Sequence, residues 1–290
     1  MHVALMNKIV ELFGFPVSRK GRFDWQATID RQWCPYLDRK CLKTRKSRPE
    51  VAIGTCSVSY GKSTEPIVIC PFRFLQHGQI FTDCLHLLSV HEPGNELHVV
   101  PEVSVPGGSI DYFLVSAKDN KVRDFAGIEL QALDTTGTVW PERQRRLEEK
   151  GVSVDKADVR SRKTFGMNWK MTAKTTLIQL HHKIQTFEST RKHLVLVLQK
   201  RLMDYLKREF QFSHLGNARV GDTMHIHSYR MDKGERASWR LGLDVRISTD
   251  AAGVAVCLGL QADANVELED IVRQLEAKIC NETLFTLRQE

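Results

Sequence analysis

Between Val103 and Asp134 the chain reads VSVPGGSIDYFLVSAKDNKVRDFAGIELQALD, two short apolar segments on either side of a charged turn. The first, Ser109 to Ser116, follows a Pro-Gly-Gly turn and carries Asp111; the second, Asp124 to Leu133, carries Glu129, Leu130 and Gln131. Side chains alternate between the two faces of a strand, so Glu129 and Gln131 share a face while Leu130 enters the other layer. Paired as a hairpin, the segments bring Asp111 beside Glu129. Two carboxylates and an amide then converge on one point, a donor set that suits a hard divalent cation such as Mg²⁺. The bland alternative, acids on a solvated strand, fits poorly with acids set inside apolar segments.

A cation held there would lower the pKa of a bound water and stabilise charge on phosphoryl oxygens, as phosphodiester hydrolysis requires. Asp…Glu-x-Lys on adjacent strands is the pattern of the PD-(D/E)xK nuclease superfamily, and this stretch resembles it with Gln131 where lysine is usual. A neutral amide cannot help deprotonate water, so activation falls more heavily on the metal. Nucleases of this kind often bring a further carboxylate from upstream. Glu102, just ahead of the Pro-Gly-Gly turn, is the expected one, with Glu96 the alternative.

Composition bounds the rest. With 290 residues, 42% hydrophobic and 27% charged, the chain can form one large domain or a domain with an appended module. A formal charge of +7 favours a polyanionic partner, nucleic acid before membrane. No apolar run has the length of a membrane span. The opening MHVALMNKIVELFGFPV has an apolar stripe broken by Lys8 and Glu11, which reads as an amphipathic helix and not a signal peptide. A cytoplasmic protein is expected, its seven cysteines reduced.

Three regions are expected: a helical segment over 1–32, a cysteine-rich module over 33–75, and a catalytic domain over 76–290. In the module, Cys34, Cys41, Cys56 and Cys70 are separated by six, fourteen and thirteen residues, amid turn formers and little helical periodicity. Such a stretch buries little core of its own, and four thiolates suit tetrahedral Zn²⁺ or Fe as a structural staple. The spacing lacks the paired C-x₂-C knuckles of common zinc sites, so free thiols are the competing reading. Arg39, Lys40, Lys43, Arg45, Lys46 and Arg48 place six basic residues within ten positions. Such a run is often merely a solvated face; on a metal-stapled loop it can reach phosphates or guanine edges.

Further along, Arg143, Arg145 and Arg146 accompany a short helix, and Asp155 to Lys163 reads as a flexible charged loop. Leu177, Leu180, Ile184 and Phe187 recur at helical spacing over 171–187. HLVLVLQ from His193 reads as a strand buried on both faces, followed by a helix over 201–210. Alternation from Trp239 to Ile247 gives a one-sided strand; His225 and His227 read as surface positions. Val254 to Gln261 reads as another strand and 268–284 as a closing helix. The fold class is α/β, a mixed central sheet flanked by helices as in the PD-(D/E)xK core, with a small four-cysteine metal-binding module.

The chain as a whole resembles the NotI-like Type II restriction endonucleases. The likeness rests on CPYLDRKCLKTRKS with IGTCSV and VICPFRF, on PGGSIDYFLVS with FAGIELQALDTTG, and on NWKMTAKTTLIQLHHKI with HLVLVLQ. It implies a homodimer that cuts double-stranded DNA at a GC-rich palindrome such as CGGCCG or GCGGCCGC, leaving 5′-phosphate ends. It further implies that Cys34, Cys41, Cys56 and Cys70 bind structural iron, with zinc as a substitute. Asp111, Glu129 and Gln131 would hold catalytic Mg²⁺. Two other classes compete: a non-catalytic metal-stapled DNA-binding protein, indifferent to Mg²⁺, and a rubredoxin-like redox protein, whose two C-x₂-C hooks are missing here.

Overall fold

The structure is a computed structural model and describes residues 8–19, 21–61, 65–234 and 238–259, together with 272, 273 and 277. The first element corrects an expectation. Lys8–Leu12 is a strand, β1, and not an amphipathic helix; the helix of this region is α1, Trp25–Arg31. Glu11, which interrupts the apolar stripe, is buried, where it accepts from Arg73 at 3.0 Å and from the Ser57 hydroxyl at 2.7 Å. β1 pairs antiparallel with β2, Thr55–Ser59. Residues on both sides of the boundary expected at 32/33 therefore share one small sheet.

The main sheet has seven strands among the described residues. Three of them form a meander: β3 (Glu96–Val105), β4 (Gly108–Lys118) and β5 (Lys121–Gln131). β4 turns into β5 through Asp119 and Asn120, both at positive φ, as a two-residue hairpin turn requires. Next come α2 (Trp140–Glu149), a short helix over Lys156–Arg160 where a flexible loop was expected, and α3 (Trp169–Ser189). β6 (His193–Gln199) returns parallel to β5, and α4 (Lys200–Glu209) follows. β7 (Met224–Lys233) lies parallel to β6, and β8 (Trp239–Thr249) antiparallel to β7. Gly216–Asn217 completes the far edge beside β8, and β3 is the other edge.

Both faces of the centre are covered, which is why β6 is apolar without alternation. On one side Leu177, Leu180, Ile184 and Phe187 of α3 pack over Leu194, Leu196 and Leu198. On the other, Phe74, Ile80, Cys84 and Leu87 cover Ile128, Val195, Val197 and Tyr229.

Two more expectations change here. Val254 begins no strand: Ala251–Cys257 is a helix, α5, and its start is capped by Asp250, whose carboxylate accepts from the Gly253 amide at 2.8 Å. His225 and His227 are not surface residues. Both are fully buried on the face covered by residues 71–87, with the Cys84 sulfur 3.8 Å from His227 Nδ1. Of the helix expected over 268–284, only residues 272, 273 and 277 are described, with the Ala277 amide donating to the Arg273 carbonyl at 3.1 Å; the rest lies outside the described residues.

Candidate active site

The meander puts three carboxylates in one row. Tyr112 pairs with Ile128, so Asp111 and Glu129 follow one step on, towards the end of the sheet where β5 stops. Glu102 lies between Pro101 and Val103, whose partners Tyr112 and Ile110 flank Asp111. Glu102 holds a left-handed backbone, φ 52°, a strained conformation for a non-glycine residue. Glu96, the alternative, pairs at Ala117, at the opposite end of the strand.

Local contacts aim these groups. The Leu130 amide donates to Asp111 Oδ2 at 2.8 Å, across the two strands. Burial pushes the Asp111 carboxyl up, against that amide and Lys183, and Glu102 adds to the rise. Burial pushes Glu129 up to about 7, opposed by Lys183 and reinforced by Asp111. Partly buried acids that repel one another gain from a shared cation. Gln131 is on the same strand face as Glu129, but its amide donates to the Ala132 carbonyl at 2.6 Å.

The residue that strand reasoning missed is Lys183. From α3 its ammonium reaches Glu129 Oε1 at 2.6 Å, with only 9% of the side chain exposed. Its signal was a lysine one position before Ile184 on the core-facing side of an amphipathic helix. The Pro-Gly-Gly turn sits against it: a Cβ at Gly107 would lie 2.3 Å from the His182 carbonyl oxygen, and one at Gly108 3.0 Å from Lys183 Cε.

The cysteine region lies over the end of the sheet that carries these acids. Leu133, beyond β5, donates to the Val68 carbonyl, and Gln199, at the end of β6, accepts from the Val68 amide. Cys34, Cys41, Cys56 and Cys70 are all buried, as is Cys84. Burial raises Cys70 to about 11, with Cys41 and Cys34 adding to it, and holds Cys56 well above the usual thiol range, with Cys70 adding to it. The four thiols thus lie within electrostatic reach of one another. Among the described residues no three His, Cys, Asp or Glu side chains are gathered at metal-ligating separation.

The six basic residues divide. Lys43 donates to the Ile69 carbonyl at 2.6 Å, and Arg45 lies 4.6 Å over the Trp140 ring and 3.6 Å from Asp158. Lys43 thus ties the module to itself, and Arg45 ties it to α2 and the short helix after it. Arg39, Lys40, Lys46 and Arg48 are exposed. Arg39 is near enough to Tyr112, the neighbour of Asp111, to oppose the rise that burial gives that phenol. Arg143, one of the three arginines expected near a short helix, is buried in α2 and donates to the Ile53 carbonyl at 2.6 Å.

No helix among the described residues is long and apolar enough to cross a membrane. No curated protein matches the chain. The model of the restriction endonuclease NotI family matches residues 26–234, which span the four cysteines, the carboxylate row, α3 and strands β6 and β7. A chain that pairs an acidic row with a basic module and matches that model over most of its length belongs to the NotI restriction endonuclease family, the Type II site-specific deoxyribonucleases that act on double-stranded DNA.

Proposed function

We propose that this protein is a cytoplasmic, Mg²⁺-dependent endonuclease of the PD-(D/E)xK type, the nuclease of a restriction–modification system. It acts as a homodimer on a GC-rich palindrome such as CGGCCG or GCGGCCGC and leaves 5′-phosphate ends. The observation that carries the reading is the row of Glu102, Asp111 and Glu129 across three adjacent strands. Asp111 and Glu129 would hold Mg²⁺, with Glu102 completing the site and Gln131 offering its carbonyl oxygen. When bound, the cation supplies an acidified water and stabilises phosphoryl charge. The chain aims the acids by the hairpin register and the Leu130 amide. Arg39, Lys40, Lys46 and Arg48 are exposed and can meet phosphates or base edges, Lys40 on giving up its hydrogen bond to the Glu50 carbonyl. Cys34, Cys41, Cys56 and Cys70 fit a structural iron or zinc by their donor chemistry: all four are buried, and Cys34, Cys56 and Cys70, raised by burial and by a neighbouring thiol, would lose that penalty as metal-bound thiolates.

The test is digestion of a plasmid carrying both sites, in Mg²⁺ and in EDTA, with the fragment ends sequenced and the preparation assayed for iron and zinc. Discrete Mg²⁺-dependent fragments with 5′-phosphates are expected, and D111N protein should still bind the DNA but cut it at least about 100-fold more slowly. Intact DNA from protein that shifts the same fragments on a gel would move the assignment to a binding protein.

A further inference from the structure

Gln131 leaves the active site without the strand lysine that a metal nuclease of this pattern uses, and its amide is turned onto a backbone carbonyl. We propose that Lys183 of α3 is the catalytic cation that replaces it, held over the carboxylates by the Pro106–Gly108 turn and presented to the phosphate under attack. The inference rests on the nuclease reading above.

Three observations carry it. First, Lys183 is buried on the face of α3 that packs on the sheet, where Leu180, Ile184 and Phe187 also lie. Burying an ammonium there is expensive, and an apolar side chain would serve packing better. Second, Lys183 and Gln131 line the same cleft, together with Glu129, Thr176 and Gln179. A lysine at 131 would leave the sheet from the face Lys183 approaches, so two routes lead a cation to one place. Third, the meander turn is built to admit this helix. Gly107 takes φ 92° against the His182 carbonyl, and the Thr186 hydroxyl donates to the Pro106 carbonyl at 2.9 Å. No side chain fits at Gly107 without displacing α3. In the DNA-free chain Glu129 takes one of the three ammonium donors; the others are available to phosphate oxygens.

The lysine can be removed and then returned by the other route, as K183M and as K183M/Q131K. K183M is expected to keep its thermal midpoint within a few degrees, bind cognate DNA in EDTA, and cut in Mg²⁺ at least about 100-fold more slowly. Q131K added to it should restore cleavage by about tenfold or more. Mn²⁺ binding to the DNA-free protein, followed by electron paramagnetic resonance, should be as tight in K183M as in wild type or tighter, because the ammonium that occupies Glu129 is gone. Weaker Mn²⁺ binding would make Lys183 a builder of the metal site and overturn the proposal. So would cleavage by K183M within about threefold of wild type, or a double variant no faster than K183M. If K183M unfolds, K183Q with and without Q131K decides by the same criteria. Wild-type protein that leaves DNA intact would overturn the nuclease reading and this inference with it, whereas cutting by wild type and K183M alike overturns the inference alone.

Discussion

Glu129 is pulled between a proton, a lysine and the proposed cation. Burial holds its carboxyl near 7, so proton and metal compete for the same oxygens close to neutrality. The sign follows: a raised carboxylate pKa means that acid favours the protonated form, which binds no Mg²⁺. At Mg²⁺ below saturation, cleavage should fall by up to about tenfold per pH unit below 7, and saturating Mg²⁺ should restore much of the loss. Rates at pH 6.0 and 7.5, at low and high Mg²⁺, would show it. A pH profile that ignores Mg²⁺ concentration would remove Glu129 from the metal site. The Asp111 and Glu129 pair was legible as residues because the Glu-x-Gln step and the hairpin are local. Lys183 was not legible, since it lies 54 positions from its partner and only the packing of α3 on β5 joins them.

At the scale of elements, β7 shows how alternation misleads. His225 and His227 share a face, and in the sequence a polar face reads as an exposed one. In the fold that face lies beneath residues 71–87, with His86 stacked 6.3 Å from His227 and His193 5.2 Å from His225. Burial lowers His225 to about 4, with His193 adding to the drop, and lowers His227 to about 3, with Arg246, His225 and His86 adding. Asp222 pulls His225 upward through its carbonyl and its carboxylate charge, His86 adds to the drop, and Cys84 contacts His227. A histidine lowered in the native state is neutral there and protonated on unfolding. Its contribution to stability is therefore complete above pH 6.5 and is lost as pH falls from 6.5 towards the native values. Each should cost about 1.4 kcal/mol per pH unit in that window. Burial of Glu129 acts in the opposite sense over this window, so the measurement is urea unfolding at pH 7 and at pH 5.5 in the Glu129→Gln background, where equal stabilities would put these histidines back in solvent. Elsewhere the elements followed local pattern, as in α3, β6 and β8, where period and length left little choice. Ala251–Cys257 escaped because a short apolar run has no period to read, and only its Asp250 cap announces a helix.

At the scale of the molecule, one ion pair ties the parts together. Arg73 is fully buried and reaches Glu11 of β1, Gln76 of its own turn and the Trp239 carbonyl of β8. The small sheet, the cover of the main sheet and its far strand thus meet on one guanidinium. Removing one partner leaves a buried charge uncompensated, so Glu11→Ala should cost roughly 3–5 kcal/mol, more than the loss of one contact. Replacing both, with Glu11→Leu and Arg73→Met, should recover more than half of that. Denaturant unfolding of the three variants measures it, and a loss below about 1 kcal/mol in Glu11→Ala would mean that the network contributes little to stability.

The sequence by itself determined the two-strand hairpin, the following helix and buried strand, and the pairing of Asp111 with Glu129. All of these depend on spacing along a few tens of residues, which strand and helix periods translate directly. Only the tertiary structure decided that Glu11 belongs to a strand and a buried ion pair, that two histidines lie in the core, and which of the six basic residues stay exposed. It also decided that a lysine from a helix enters the acidic row. Those outcomes depend on which layer covers a face and which distant chain supplies a countercharge, and neither is written in the local pattern of residues.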